Sequence, residues 1–304
     1  MRFRRISPFL LVAVCAAACS TSPVPNPSAV APSPQASPSV IATDAPGASP
    51  SPSSSPATAL LEVTSEGGFI NPASTLGAVP TVEVLVDGRI LTPAEDAGNG
   101  SSRLVAQLEV RDVGASGVTA ILAAIQQAGL DKPATGSPGI PGDSGTTVFT
   151  LVINGETTTT RLAAGGAPGP GGPGKSADPG RTAAFALLDR LVDTTDTWGA
   201  PSAPAETYHP VGYRVYVAPE TSAPDPSASP ASIAWPISTD LATFGAPALP
   251  DRGIAGLRQG VVLGDDATRL GAVVATAQAG VTFTSGGKAF TVFIRPLLPD
   301  ELAN

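Results

Sequence analysis

The residue types best suited to nucleophilic catalysis are the serine of the stretch Gly142-Asp143-Ser144-Gly145 and the single histidine, His209. A serine becomes an effective nucleophile when a histidine takes its proton and a carboxylate orients that histidine. Thr146 stands where the GxSxG pattern of a nucleophile elbow requires a glycine. A turn that leads into the following strand accounts for these residues better. A hydrolase that uses Ser144, or a carboxylate pair that only the fold could bring together, remains an alternative prediction.

Metal chemistry has little support in the sequence. The only two cysteines are Cys15 and Cys19 near the N-terminus, and His209 stands alone, whereas a structural zinc site needs four Cys or His ligands. No DxDxDG-like ladder that would bind calcium is present. The pair Asp265-Asp266 fits the N-terminus of a helix, and Asp300-Glu301 fits a solvated tail. We therefore predict no metal, no cofactor and no catalytic residue.

The segment Gly169–Ser176, GPGGPGKS, matches the phosphate-binding pattern GxxxxGK[ST] letter for letter. A working loop of this kind holds phosphate with successive backbone N–H groups and begins its helix at the GK[ST] letters. Pro170 and Pro173 lack those N–H groups, and the signal for a helix start comes later, at Asp178-Pro179. We predict a Gly/Pro-rich loop and no nucleotide ligand.

Aromatic side chains are scarce but cluster in one part of the chain. Trp198, Tyr208, Tyr213, Tyr216 and Trp235 fall within 38 residues. In a core built mainly of Ala, Val and Leu, such bulky residues are expected to be packing anchors. The alternative is an exposed patch of Trp198, Tyr213, Tyr216 and Trp235 that stacks on a carbohydrate or peptide ligand.

The N-terminus has the layout of an export signal. Three arginines precede an uncharged run from Ile6 to Ala18, which at 13 residues is too short to span a bilayer of about 30 Å. The sequence Ala16-Ala17-Ala18-Cys19 resembles the lipobox of bacterial lipoproteins. That resemblance implies cleavage before Cys19, acylation of its thiol, and a location at the extracytoplasmic face of the cell membrane. Two acyl chains would hold the protein firmly as a tethered, not membrane-spanning, molecule.

The composition separates a linker from a folded part. Residues 20–57 contain 10 Pro, 11 Ser and 7 Ala with Asp44 as the only charge, which predicts a disordered tether. Without residues 1–18 the chain carries 14 basic and 25 acidic residues, a net charge of -11, which excludes a basic nucleic-acid binder. The predicted organisation is a signal peptide (1–18), a tether (19–57), an N-terminal α+β unit (58–200) and a C-terminal α+β unit (201–304).

Turn and periodicity signals predict an α+β fold of antiparallel hairpins with single packed helices. Asp87-Gly88 follows alternating valines and predicts a type I′ hairpin turn, as does Asn154-Gly155 between Val148 and Leu162. Val118, Ile121, Leu122 and Ile125 predict one helix that ends at Gly129, and Asp178-Pro179 begins a second, with Ala184, Leu187, Leu188 and Leu191 on one face.

The C-terminal part repeats this order of elements. Two strands, a helix capped by Asp265 or Asp266, and a hairpin around Gly286-Gly287 suggest a duplicated β-β-α-β-β unit.

Four stretches are similar to uncharacterised secreted lipoproteins of high-GC bacteria: LLEVTSEGGFINP, VLVDGRIL, GDSGTTVFTLVINGE and FTSGGKAFTVFIRPLLPDE. The resemblance implies an envelope location and transfers no reaction. We therefore expect a lipid-anchored extracytoplasmic protein that works by non-enzymatic binding or as an envelope component, with the membrane and an unidentified envelope ligand or protein as its partners.

Overall fold

A seven-stranded antiparallel sheet with two helices on one face forms the first layer of the fold. The computed structural model describes residues 55–67, 75–94, 103–132, 145–163, 179–199, 204–218, 232–248 and 254–302. All of them lie in one compact unit, Ala48–Asn304. The strands are β1 (Ala59–Glu66), β2 (Val82–Leu85), β3 (Arg89–Pro93), β4 (Leu108–Asp112), β5 (Thr146–Ile153), β6 (Glu156–Ala163) and β7 (Glu206–Thr207), in the spatial order β6-β5-β1-β2-β3-β4-β7.

A six-stranded sheet forms the second layer. Its strands are β8 (Gly212–Val217), β9 (Ser232–Ala234), β10 (Ala246–Pro247), β11 (Arg258–Leu263), β12 (Thr282–Ser285) and β13 (Lys288–Pro296), in the order β10-β11-β8-β13-β12-β9. Among the strand pairs that the structure describes, only β9–β12 is parallel. Together with three helices in the described residues, these sheets confirm the predicted α+β class.

Each sheet buries one face against helices. Helices α1 (Gly114–Gln127) and α2 (Pro179–Val192) pack on the first sheet, and α3 (Gly264–Val274) packs on the second. Helix α1 ends in a Schellman motif, since Leu130 N donates to Ile125 O at 3.1 Å and Gly129 has φ +71°. Helix α2 begins at Pro179 as predicted, although Asp178 lies outside the described residues.

Two local predictions need correction. Asn154 and Gly155 both have positive φ, as a type I′ turn requires, but Asp87 does not. Gly88 N donates to Leu85 O at 3.1 Å and Gly88 has φ +98°, so this hairpin has a three-residue loop that ends in a glycine bulge. Helix α3 has Leu263 at its N-cap with no side-chain capping bond, and Asp265 and Asp266 lie inside its first turn.

Both sheets contain the predicted order of strands, helix and hairpin along the chain, but the strands that lie side by side differ between the two sheets. In the first sheet β1 separates the β2–β3 and β5–β6 hairpins, whereas in the second β13 pairs directly with β8.

At the start of the fold, Ser55 O accepts from Arg89 Nη2 at 2.7 Å and Ala57 N donates to Pro299 O at 3.2 Å. Ser55 and Ala57, which belong to the segment predicted as tether, therefore contact the first sheet and the C-terminal segment.

Candidate functional site

A cleft of about 310 Å³ lies where the edge of the first sheet meets α3 of the second layer. Its lining comes from the segment that enters β4, the segment between β7 and β8, α3, and the end of β13. Leu104 N donates to Ala277 O at 2.9 Å, and Tyr208 N donates to Leu108 O at 2.8 Å. These backbone bonds fix two walls of the cleft against the chain that follows α3 and against β4.

The cleft combines an apolar floor with a rim of hydrogen-bonding groups. The polar side chains that line it are Arg103, Gln107, Thr207, His209 and the two tyrosines Tyr208 and Tyr213. The apolar lining includes Val105, Leu108, Val274 and Pro296. No Asp or Glu occurs among the described residues of this lining, although the chain has 25 acidic residues against 17 basic ones. Glu109 pairs with Thr207 across the sheet but does not belong to the lining.

Tyr213 supplies a polar atom on the floor of the cleft. Its side chain is 9% exposed, and no hydrogen-bond partner of its hydroxyl is found among the described residues. Burial raises the pKa of this hydroxyl, so it stays a neutral donor and acceptor. Gly271 lies next to it inside α3, where a Cβ would come within 2.9 Å of the Tyr213 oxygen. A glycine inside a helix costs about 1 kcal/mol relative to alanine, and here it leaves the space that the hydroxyl occupies.

A second cleft of about 380 Å³ lies along β10, β11 and β13. Its cationic lining residues are Arg258 and Lys288. Arg258 Nε donates to Phe244 O at 2.8 Å and its Nη2 donates to Gly245 O at 2.7 Å. Backbone carbonyls therefore hold this guanidinium in place. The first cleft is the better candidate because six polar side chains line it among the described residues, against two here.

A group of carboxyls lies on the face of the first sheet opposite the helices. Glu62 and Glu83 are directly opposed on β1 and β2, and Asp300 comes from the C-terminal segment. Glu83 is 1% exposed, and neither of its oxygens meets an N–H or O–H donor among the described residues. Burial, followed by the charge of Asp300, raises the pKa of Glu83 to about 9. Glu83 therefore keeps its proton at neutral pH, and the protonated carboxyl donates a hydrogen bond to Asp300.

Glu301 links the same segment to the second sheet. Arg295 Nη1 and Nη2 reach the two Glu301 oxygens at 2.6 and 2.7 Å, and Arg214 Nε donates at 3.0 Å. Burial alone would raise the pKa of Glu301, but the hydrogen bonds and charge of Arg295 outweigh it and lower the pKa. The prediction of a solvated Asp300-Glu301 tail is therefore wrong, because Asp300 lies against Glu83 of the first sheet and Glu301 binds Arg214 and Arg295 of the second.

The four aromatic residues predicted as a ligand patch are all buried, and they belong to three separate cores. Trp198 belongs to the core under α1 and α2, Tyr213 and Trp235 to the core under α3, and Tyr216 to the opposite face of the second sheet. Their exposures are 2, 9, 8 and 4%, respectively. They do not form the exposed patch that stacking on a carbohydrate or peptide requires, because they fill the cores of a protein with few other large side chains.

The other residues that the sequence singled out lie either outside the described ranges or on the rim of the first cleft. Cys19, Ser144 and the Gly169–Ser176 loop lie outside the described residues. His209 is exposed on the rim of the first cleft. Within the described ranges, no group of three or more His, Cys, Asp or Glu side chains is arranged to hold a metal ion, and no helix is long and apolar enough to cross a membrane.

Sequence reasoning missed Arg103, Gln107, Thr207 and Gly271 as lining residues of the cleft. The one available signal was Gly271, a lone glycine within an otherwise amphipathic helix. Comparison with known proteins gives no family model, no curated protein and no solved structure that matches this chain.

Proposed function

We propose that this protein binds a small molecule without transforming it, in the cleft lined by Tyr213 and His209, while a lipid at Cys19 tethers it to the extracytoplasmic face of the membrane. The observation that carries the proposal is the cleft itself. Its volume of about 310 Å³ is at the lower end of the range of small-molecule sites, about 300–1,000 Å³. An apolar floor with a few converging polar groups is the usual composition of such a site.

The geometry of the carboxyl pair favours binding over hydrolysis. The pair Glu83 and Asp300 has the shifted pKa values that also mark catalytic acids. However, neither residue lines the cleft, and Glu83 is 1% exposed. The pair is better explained as a contact between the C-terminal segment and the first sheet.

The tether is tested by metabolic labelling with palmitate followed by detergent phase separation. Cys19→Ala should abolish the label and move the protein to the aqueous phase, because acylation needs that thiol. Cys15→Ala is the matched control and should keep both the label and the detergent-phase location, since Cys15 leaves with the signal. A Cys19→Ala protein that keeps its label would contradict the lipid anchor.

The cleft is tested with the mature chain, residues 19–304 with Cys19→Ala, incubated with the small-molecule fraction of an envelope extract. Ligand that remains after gel filtration is released by denaturation and identified by mass spectrometry. Thr207→Trp should abolish the retained compound, because Thr207 is exposed on β7 and a large side chain there fills the cleft. Thr159→Trp, an exposed threonine on the opposite edge strand β6, should retain it. Equal retention by the two variants would place binding elsewhere.

A further inference from the structure

The C-terminal segment, residues 297–302, contacts both sheets by different kinds of interaction. Its Leu298 packs in the apolar core that contains Leu85 of β2 in the first sheet. Its Glu301 accepts two hydrogen bonds from Arg295 of β13 in the second sheet, at 2.6 and 2.7 Å. The two attachments involve different residues, so the segment can leave the first sheet while it stays on the second.

The attachment to the first sheet includes two carboxyl groups in contact. Glu83 of β2 is 1% exposed, and neither of its oxygens meets an N–H or O–H donor among the described residues. The half-buried Asp300 of the C-terminal segment shares a hydrogen bond with it. Two carboxylates repel each other and cannot hydrogen-bond, because neither has a proton to donate. This contact therefore exists only while the pair holds a proton.

The charges around the pair do not replace that proton. The titratable and charged groups around it are Glu62 of β1, Arg89 of β3, Tyr208, Arg214 of β8, Arg295 of β13 and Glu301. Both Arg214 and Arg295 form ion pairs with Glu301. Burial, followed by the charge of Asp300, raises the pKa of Glu83 to about 9, and Glu62 and Glu301 act in the same direction. The proton thus stabilises the docked state, and this stabilisation is lost as the pH rises toward 9.

We infer that residues 297–300 form a latch that closes on the first sheet only while the pair of Glu83 and Asp300 holds a proton, and that a rise in pH opens it. Loss of the proton places two adjacent negative charges where Glu83 has almost no access to water, and separation of the latch from the sheet relieves their repulsion. Glu301 keeps the segment on the second sheet. The inference needs no ligand, so it does not depend on the proposed function.

Opening of the latch also changes one wall of the first cleft. The ring of Tyr208 lines that cleft, and its hydroxyl donates to Leu297 O at 2.7 Å. Displacement of residues 297–300 removes this acceptor, whereas the backbone bond from Tyr208 N to Leu108 O remains. The latch therefore connects the protonation of a buried carboxyl to the position of a side chain in the cleft.

The test is limited proteolysis by subtilisin at pH 6 and pH 9, on the mature chain (residues 19–304, Cys19→Ala). Mass spectrometry gives the rate of cleavage within residues 297–302, which is divided by the rate for a synthetic peptide of residues 293–304 to remove the pH dependence of the protease. One proton changes the open population by at most about tenfold per pH unit, so the normalised rate should rise at least about tenfold from pH 6 to pH 9.

Matched variants identify the group that opens the latch. Glu83→Gln cannot ionise and should reduce the rise to about threefold or less. Glu156→Gln, at the exposed start of β6, should keep the full rise. Tyr208→Phe should increase cleavage at pH 6 by about fivefold, because it removes one hydrogen bond that holds the latch. Tyr213→Phe removes a hydroxyl that does not contact the latch and should leave the rate unchanged.

Cleavage within β5 distinguishes opening of the latch from unfolding of the whole domain, because β5 lies inside the first sheet. A rise in cleavage confined to residues 297–302 supports the latch. An equal rise in β5 shows global unfolding and overturns the inference. A rise that persists in Glu83→Gln, or one that Glu62→Gln abolishes instead, assigns the proton to another group and also overturns it.

Discussion

Replacing Glu83 with glutamine tests whether a buried carboxyl holds a proton in the folded protein. Glu83 is 1% exposed, and burial followed by the charge of Asp300 raises its pKa to about 9 from the ordinary 4.5. Glutamine has nearly the same shape and cannot ionise, and its NH₂ group can still donate a hydrogen bond to Asp300. The variant therefore removes the titration while it keeps the packing.

The size of the expected change in stability follows from the difference between the numbers of protons that the folded and the unfolded chain bind. Between pH 4.5 and 9 the folded chain keeps a proton at Glu83 that the unfolded chain has released, so stability falls as pH rises. The slope for one group is about 1.4 kcal/mol per pH unit, or about 4 kcal/mol at most between pH 5 and pH 8. Glu62 and Asp300, whose pKa values are also raised, act with the same sign. Glu301, whose pKa is lowered, acts oppositely: its stabilisation is lost as the solution becomes acidic.

Urea unfolding at pH 5 and pH 8 measures the effect. The unfolding free energy of Glu83→Gln relative to the wild type should rise by about 3–4 kcal/mol between these pH values, because only the wild type is destabilised by rising pH. Glu156→Gln, at the exposed start of β6, is the control and should show no such change. A difference between Glu83→Gln and wild type that is the same at both pH values would refute the buried-proton argument.

Two further substitutions test the fold by the same urea assay. Arg111 is 3% exposed and donates to the carbonyl oxygens of Leu191 and Asp196 at 2.7 Å each. Arg111→Met should lower the free energy of unfolding by about 2–4 kcal/mol, because these carbonyls lose their donor. A loss under about 1 kcal/mol would show that these bonds are unimportant for stability. Gly88→Ala should cost at least about 2 kcal/mol, since its φ is +98° and a Cβ would lie 2.9 Å from a backbone nitrogen. Gly67→Ala, with φ +73° and open space, should cost only about 1 kcal/mol, and equal costs would contradict the steric argument.

The local parts of the fold could be predicted from the sequence because local chemistry determines them. Asn154-Gly155 and Gly286-Gly287 both tolerate positive φ, so each fixes a two-residue hairpin and the register of its strands. Helix α1 follows from the spacing of Ile121 and Ile125, and Gly129 adopts the left-handed conformation that stops it after Gln127. Each of these signals involves residues only a few positions apart.

The buried acids could not be predicted, because contacts between distant segments create their environment. Glu83 alternates with valines along β2, a pattern typical of a strand with one solvated face. The C-terminal segment covers that face and places Asp300 beside Glu83, more than 200 positions away in the sequence. In the sequence, Glu301 looks like any other charged residue near the end of a chain. Only the fold brings Arg295 of the second sheet into contact with it. Strand order and the packing between the sheets decide these pairings.

Tyr208 connects the candidate site to this buried charge cluster. Its ring lines the cleft, and its hydroxyl donates to Leu297 O at 2.7 Å. Burial, followed by the charge of Glu83, raises the pKa of this hydroxyl, so the donor is retained at any moderate pH. The segment that Tyr208 holds is also the segment that carries Asp300 onto Glu83. One wall of the cleft therefore shares its support with the carboxyl pair, because Leu297 lies three residues before Asp300 in the same C-terminal segment.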